Sequence, residues 1–412
     1  MDTMNGDDPN MLLFAPGAAN EPHAAYRKLR DECPVHRGVG YDGAMEVVIS
    51  RYDDVCSALR HPEVFSSSAE AVSIGQEQPL IPLQVDPPDH LKYRRLLDPQ
   101  FSPKRMAALE TGAREFVNRL IDGFADRGSC DFHEEFATPL PSTIFLLLMG
   151  LPHDDLPIFL QWRDNTVRPD VEPGDFDGAA RIRDQTGHEI TEYFDRAIEA
   201  RRANPDDALL SRLVHADIEG RPLSREELLG TCHLLILGGL DTVTATLDCS
   251  IAYLAQHPEI RRQLVQQPEL TGAAVEELLR WESPVQMVAR IVKEDSSIGG
   301  VEVKKGDRVT VLIGAADGDE REFPDADTVS FTRHANRHVA FGGGPHRCLG
   351  SHLARLELRV ALEEFHRRIP DYRIPDGTEL VYSPGIRQTM GLPLEFEPEG
   401  APSSDTAVAG RI

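Results

Sequence analysis

Residues 341–350 read Phe341-Gly342-Gly343-Gly344-Pro345-His346-Arg347-Cys348-Leu349-Gly350. Three consecutive glycines and a proline make a segment that neither helix nor strand accommodates. Beyond it the pattern changes. Leu349, Leu353, Leu356, Val360 and Leu362 recur at roughly helical spacing, which predicts a helix. Cys348 therefore falls at or near a helix N-terminus, where unpaired backbone N–H groups favour the thiolate over the thiol. Read alone, the loop leaves several chemistries open. A lone cysteine is commonly a small buried apolar residue. A glycine loop opening a helix often holds phosphate, but the Gly-Lys-Ser/Thr ending of a phosphate loop is missing. Zinc is disfavoured because no second cysteine stands two or four residues away. Spacing leaves room for a cysteine nucleophile with a distant histidine, and for an axial ligand to haem iron.

The loop also matches a family pattern. Phe341, Gly344, Cys348 and Gly350 fit Phe-x-x-Gly-x-x-x-Cys-x-Gly, so the segment resembles the haem-ligand loop of cytochromes P450, and His346 fits the bacterial members. Further motifs match in order over roughly residues 44–395. The resemblance implies a mainly α, single-domain fold spanning 1–412: a helical bundle around b-type haem, with a minor β-sheet region. Cys348 would be the axial thiolate and iron ligand, and Phe341, Gly344 and Gly350 would shape the loop around the cofactor.

Composition is consistent with such a chain. Its 412 residues are enough for a large core, and nothing in the interior reads as a linker or repeat. Residues 1–10 and 400–412 are polar or small and are expected to fray. Lysine and arginine total 43 against 68 aspartates and glutamates, a net charge of −25, which argues against nucleic acid or an anionic membrane as partner. No signal peptide is evident, and no unbroken apolar run reaches the roughly 18 residues of a membrane span. A cytoplasmic monomer without a membrane anchor is the expectation. The six cysteines show no paired spacing, so five are expected to be buried thiols.

In Asp86-Pro87-Pro88-Asp89-His90-Leu91-Lys92-Tyr93-Arg94-Arg95 the prolines fix the start of a helix. His90 and Arg94 then share a face, and two donors there suit a carboxylate or phosphate. The resemblance implies that they bind a haem propionate, together with Arg290 and His346. Ser66–Gln84 lacks a regular pattern and reads as a loop. In the family this position covers the substrate pocket, which makes Val72, Ile74 and Leu80 candidate wall residues.

Ser224 to His257 reads as one long helix with a capping box at Ser224 and Glu227. Inside it lie Gly238-Gly239-Leu240-Asp241-Thr242. Each mid-helix glycine costs about 1 kcal/mol against alanine, which calls for an offsetting gain. Close helix packing is one source, and a Thr242 hydroxyl bonded back to the Gly238 carbonyl is a second local feature. A flat cofactor lying on Gly238 and Gly239 is another. Gly-Gly-Leu-Asp-Thr-Val closely resembles the acid–alcohol segment of soluble P450 monooxygenases, where the alcohol holds water and the acid passes protons inward. Asp241 and Thr242 are the catalytic candidates on that basis, with Leu234 and Leu235 as pocket residues.

Glu277 and Arg280 stand at i,i+3. The resemblance makes them a buried structural pair completed by Arg333. Ser283–Arg290 matches the family strand beside haem, with Val285, Met287, Val288 and Ala289 as pocket candidates. Gly300–Val309 reads as a hairpin around a glycine turn. Ala316-Asp317-Gly318-Asp319 departs from the family's usual Asn-Arg-Asp. In Ser383–Thr389, Ile386 is a pocket candidate, and Arg387 reads either as a substrate anchor or as an exposed turn residue.

The resemblance implies a monooxygenase that inserts one atom of O2 into a small, mainly apolar organic substrate, with the 238–243 segment leaning toward terpenoids. NAD(P)H would supply electrons indirectly, through a ferredoxin reductase and a ferredoxin. Ferredoxins are acidic, so a basic docking patch is expected from Arg347, Arg337, His338, Lys92 and Arg95. A peroxide-driven peroxygenase, an atypical haem-thiolate isomerase and a non-catalytic haem sensor are the competing readings.

Overall fold

The computed structural model describes residues 9, 11–14, 17–40, 44–71, 74–172 and 174–400. Val72 lies outside the described residues. A five-stranded sheet occupies one side. Its strands are β1 (Val35–Val39), β2 (Met45–Ile49), β3 (Phe65–Ser66), β4 (Met287–Val292) and β7 (Arg308–Leu312), in the order β1-β2-β7-β4-β3. β7 runs parallel to β2 and antiparallel to β4, setting Val311 opposite Val288 and Thr310 opposite Ala289. Val47, Ile49, Val292, Val309 and Val311 fill the core against α1 (Tyr52–Arg60), as β-branched residues on a half-buried pleat do.

Helices make up the rest. A large core gathers Val117 and Ile121 of α3 (Glu110–Asp122), Leu247 and Ile251, Leu278, and Leu362 and Phe365. A second packs Phe145 of α4 (Pro139–Met149), Phe159 and Trp162 of α5 (Leu156–Val167), Phe194 of α6 (Phe176–Ala203), and Leu229 and Ile236 of α7 (Arg225–Leu240). The remaining named elements are α2 (Asp89–Leu97), α8 (Thr242–Gln256), α9 (Thr271–Glu282) and α10 (Ser351–Arg368).

Two sequence expectations are corrected. The long helix is not continuous: α7 ends at Leu240 and α8 begins at Thr242, with Asp241 between them at φ −115°. The capping box at Ser224 and Glu227 is present. By length and composition Arg225–Gln256 would suffice to cross a membrane, but 67% of its most apolar window is buried inside the molecule. The hairpin is β5 (Ser296–Ile298) with β6 (Val301–Val303), turning at Gly299-Gly300. It is not 300–309, because residues 308–312 pair with β2 and β4 instead.

Candidate active site

The Cys348 loop is held from within, from below and from both flanks. The Cys348 N–H donates to the Phe341 carbonyl at 2.8 Å, closing the loop. Gly344 sits at φ +64°, and a side chain there would collide with the Leu59 carbonyl of α1. Arg94 of α2 donates to the Arg347 carbonyl at 2.7 Å. Glu276 of α9 reaches both sides: it accepts from His338 Nε2 at 3.1 Å and from Arg355 Nε at 2.6 Å. Arg355 also lies over the Phe341 ring, 4.4 Å from its centroid. Cys348 is exposed. Desolvation by the surrounding chain pushes its pKa up, while the Gly350 N–H and the charges of Arg94, Arg347 and Arg355 pull it down.

Beneath the loop the Glu277–Arg280–Arg333 arrangement is present. Glu277 accepts from Arg280 Nε at 2.9 Å and from Arg333 Nε at 3.0 Å, and also from the Ser330 N–H and Asn336. Arg280 is 1% exposed and donates to the Asp317 carbonyl at 2.9 Å. The Asp317 carboxylate, fully buried, accepts from the Val339 N–H at 2.7 Å and from Ser283 Oγ at 3.0 Å. Burial raises its pKa to about 6. The departure at 316–319 is therefore a brace between α9 and the segment leading into the cysteine loop. Asp319 extends it by capping the Tyr52 N–H at 3.0 Å.

Basic groups converge beside the loop. The His90 and His346 rings lie 4.5 Å apart, and all four of their ring nitrogens are buried without a hydrogen-bond partner in the chain. Burial, then the neighbouring His90, lowers the His346 pKa to about 3. Arg290 is 6% exposed, and burial draws its pKa down to about 10. Its Nη1 donates to the Ala289 carbonyl. Such a cluster of unsatisfied buried donors matches a ligand that brings its own anionic groups. Haem, with two propionates, fits this donor set. Among the described residues no three His, Cys, Asp or Glu side chains gather as ligands for a bare metal ion.

The α7–α8 break carries Gly238, Asp241 and Thr242. A side chain at Gly238 would meet nothing within 4 Å, so its face is open. Gly239 differs from expectation: a side chain there would press on Phe145 Cδ2 of α4 at 2.7 Å, so helix packing accounts for this glycine. Thr242 Oγ1 donates to the Gly238 carbonyl at 3.2 Å, and the Ala245 N–H restarts the helix on the Asp241 carbonyl at 2.9 Å. Asp241 is fully buried. Arg168, just past α5, forks onto it, with Nη1 3.1 Å from Oδ2, and Arg163 Nε approaches to 3.9 Å. Burial would lower the Arg168 pKa, but the bond to Asp241 raises it. Nothing in the local sequence marks Arg168, because its partner comes from a helix much later in the chain.

The 74–84 segment is wedged between helices. A side chain at Gly75 would collide with the Arg183 carbonyl, and one at Gly187 with the Gly75 carbonyl. Gly230 abuts the Pro79 carbonyl in the same way, and the Ile81 N–H donates to the Gly230 carbonyl at 3.3 Å. Leu80 is buried, with its N–H on Gln84 Oε1 at 2.9 Å, and Ile74 bonds Gln76. Leu234 and Leu235 are half-buried on α7. Val285 and Ile386 are brought together as an antiparallel bridge. Met287 packs against the Tyr26–Leu312 cluster and Val288 against the Val309–Val311 core; Ala289 is half-buried.

Three side chains stand elsewhere than expected. Arg387 is 5% exposed and paired with Glu282 and the Ala19 carbonyl, so it is a structural residue rather than an anchor or an exposed turn. His338 is buried under Glu276 and leaves the proposed basic patch, whereas Arg347 and Arg95 are exposed. Cys33 is only half-buried, unlike the other four spare cysteines.

The cytochrome P450 family model matches residues 10–269 and 262–369. The "Probable cytochrome P450 127A1" of Sinorhizobium fredii is 36% identical over 377 residues, covering 89% of each chain. The "Steroid C26-monooxygenase" of Mycolicibacterium smegmatis is 34% identical, covering 94% of this chain and 95% of its own. The crystal structure of CYP109E1 from Bacillus megaterium in complex with testosterone superposes with a TM-score of 0.85 at 30% identity, covering 92% of this chain and 98% of that one. The chain therefore belongs to the cytochrome P450 family, and it is an oxygen-incorporating monooxygenase whose family cofactor is haem held by a cysteine thiolate.

Proposed function

We propose that Cys348 is that thiolate, that His90, Arg94, Arg290 and His346 hold the propionates, and that the open face of α7 at Gly238 carries the substrate over the cofactor. The observation that carries this reading is the orphaned His90–His346 pair beside a loop closed on Cys348. Bound haem supplies the dioxygen chemistry, which electron donation from the thiolate favours. The chain's own part is to shed water from the pocket and to supply protons. One oxygen atom enters the substrate and the other leaves as water, which consumes two electrons and two protons. Asp241 is the proton donor and Thr242 Oγ1 orders the water that carries the proton.

The substrate is a mainly apolar organic molecule. The Gly238–Val243 segment leans toward terpenoids, and a relative named for steroids widens that class to a related hydrocarbon framework. Electrons come from NAD(P)H through a reductase and a ferredoxin docking on exposed Arg347 and Arg95, whose charge stands out on a chain of net −25. The test is spectroscopic. The reduced, carbon monoxide-bound protein should show a thiolate-haem band that Cys348→Ser abolishes. A wild-type protein without that band overturns the assignment. Substrate-dependent NAD(P)H consumption with ferredoxin then separates a monooxygenase from a peroxide-driven enzyme or a sensor.

A further inference from the structure

Each turnover draws protons from Asp241, yet that carboxylate is fully buried, gripped by Arg168 and approached by Arg163. A second buried acid, which the mechanism above leaves unused, lies further along the same helix. Asp248 of α8 is fully buried. Seven residues separate it from Asp241, close to two helical turns, so the two stand on one face roughly 10 Å apart along the axis. Thr244 shares that face. Its Oγ1 donates to the Ala137 carbonyl at 3.0 Å, so the face is turned toward the single π-helical turn His133–Ala137. From that turn His133 Nδ1 meets Asp248 Oδ2 at 2.6 Å. The other ring nitrogen, Nε2, is 3.9 Å from Glu134, whose side chain is 71% exposed. One imidazole nitrogen is thus on a buried carboxylate and the other is toward the surface, the arrangement of a group that takes a proton at one nitrogen and gives one from the other.

Two polar atoms in this region are left over. Asp248 Oδ1 and Arg163 Nη1 are buried without a hydrogen-bond partner among the described residues. Arg163 links the two acids: its Nε lies 3.9 Å from Asp241 Oδ1, and its charge acts on His133. The Asp241 charge acts on Asp248, and that of Asp248 on Arg168. A bare acceptor and a bare donor suit ordered water, which is the medium a proton needs to cross between the carboxylates. Arg163 itself keeps its proton, so it orients water and does not pass a proton on.

We infer that His133 and Asp248 form the entrance of a proton relay that recharges Asp241 from the surface. A solvent proton binds His133 Nε2, the Nδ1 proton passes to Asp248, and water at Asp248 Oδ1 carries it on to Asp241. The ring then returns to its starting tautomer. No electrons move, and one proton enters for each one delivered. Neither residue touches the reacting atoms, so both are positioning residues that act through Asp241. The inference rests on the reading of Asp241 as proton donor. The acid strengths of the pair agree with it. Burial lifts Asp248 to about 6, against the pull of His133. Burial would lower the His133 pKa, but the bond to Asp248 raises it. Glu134, Asp131, Asp241 and Arg163 are the other charges acting on the pair.

The test uses the haem-loaded enzyme without added substrate, reduced by NADPH through a ferredoxin couple, with oxygen consumption followed in H2O and in D2O. The decisive variant is His133→Gln. Glutamine keeps a donor for Asp248 but cannot carry a proton, so a merely structural role would survive the change. Consumption should fall about tenfold in His133→Gln and in Asp248→Asn, less than the hundredfold of losing the acid itself. The solvent isotope effect should rise in both, with the thermal stability of His133→Gln close to that of wild type. A second readout needs no turnover. On mixing into D2O, the infrared C=O stretch of the protonated Asp248 carboxyl should shift at once in wild type and slowly in His133→Gln. The relay is overturned if His133→Gln matches wild type in rate or in exchange, including the case in which neither consumes oxygen, or if its stability falls in step with its rate. A missing thiolate-haem band, or undiminished consumption by Asp241→Asn, would instead defeat the functional reading.

Discussion

Arg168 grips Asp241 across a break between two helices to which it does not itself belong, with Nη1 3.1 Å from Oδ2. The pairing gives a fully buried carboxylate a charged partner next to Thr242. The proposed proton source thus also has a structural part, and the two can be separated. Asp241→Asn should slow product formation by about a hundredfold, within the usual range for losing a general acid, while the substrate-induced spectral shift persists. Arg168→Ala should cost about 3–5 kcal/mol of stability, because it strands a buried charge. Combining the two changes should restore much of that stability without restoring turnover. Thermal unfolding and single-turnover product yield measure the two effects separately.

Arg280 is buried between Glu277 and the Asp317 carbonyl. Arg280→Ala removes two donors from the Glu277 carboxylate and leaves it Arg333, Ser330 and Asn336. A loss of about 3–5 kcal/mol is expected, together with a low haem-to-protein ratio after purification. A stable, haem-replete variant would contradict a scaffolding role.

Glu276 ties the cysteine loop down at His338 and Arg355, and its acid strength makes that tie pH-dependent. Burial alone would raise its pKa, but the bonds to Arg355 and His338 draw it from 4.5 down to about 2. The folded pKa lies below the unfolded one. The stabilisation is thus complete above about pH 4.5 and is lost as pH falls toward 2. Haem release should accelerate over that acid range. In Glu276→Gln the acid dependence should flatten, with faster release already at neutral pH. Stopped-flow transfer of haem to an acceptor protein, run from pH 7 downward, provides the check.

The 74–81 segment rests on α6 through backbone contact at Gly187, which leaves no room for a methyl group. Gly187→Ala should lift the segment while sparing the distant cysteine loop. Expected results are faster proteolysis between residues 74 and 79, severalfold faster substrate association and an unchanged thiolate-haem band. Unaltered proteolysis would mean that the contact does not hold the segment in place.

Local sequence revealed those features whose causes are local. The glycine-rich turn before Cys348, the i,i+3 pair of Glu277 and Arg280, and the capping box at Ser224 each depend on neighbours in the chain. The interruption at Asp241 was hidden, because apolar residues continue through it and the acid's partner, Arg168, arrives from another helix. The same cause concealed the brace at Asp317, whose partners Ser283 and Val339 lie on either side in sequence. Arg387 read as an ambiguous turn residue because Glu282, which neutralises it, sits far upstream. In the sequence Gly239 fits close helix packing as well as a cofactor, and Phe145 of a neighbouring helix decides for packing. Long-range ion pairs and close helix contacts leave little periodic signature.

The contact between Gly344 and the Leu59 carbonyl joins a loop near the end of the chain to a helix near its beginning. During synthesis Leu59 leaves the ribosome long before Gly344 is made. The first helix beside the sheet must therefore wait, with that face uncovered, until almost the whole polypeptide has emerged. A chain that stops short of Phe341 has neither the cysteine loop nor the long helix behind it. With Cys348 as the proposed thiolate, capture of the cofactor would then wait for nearly the whole chain.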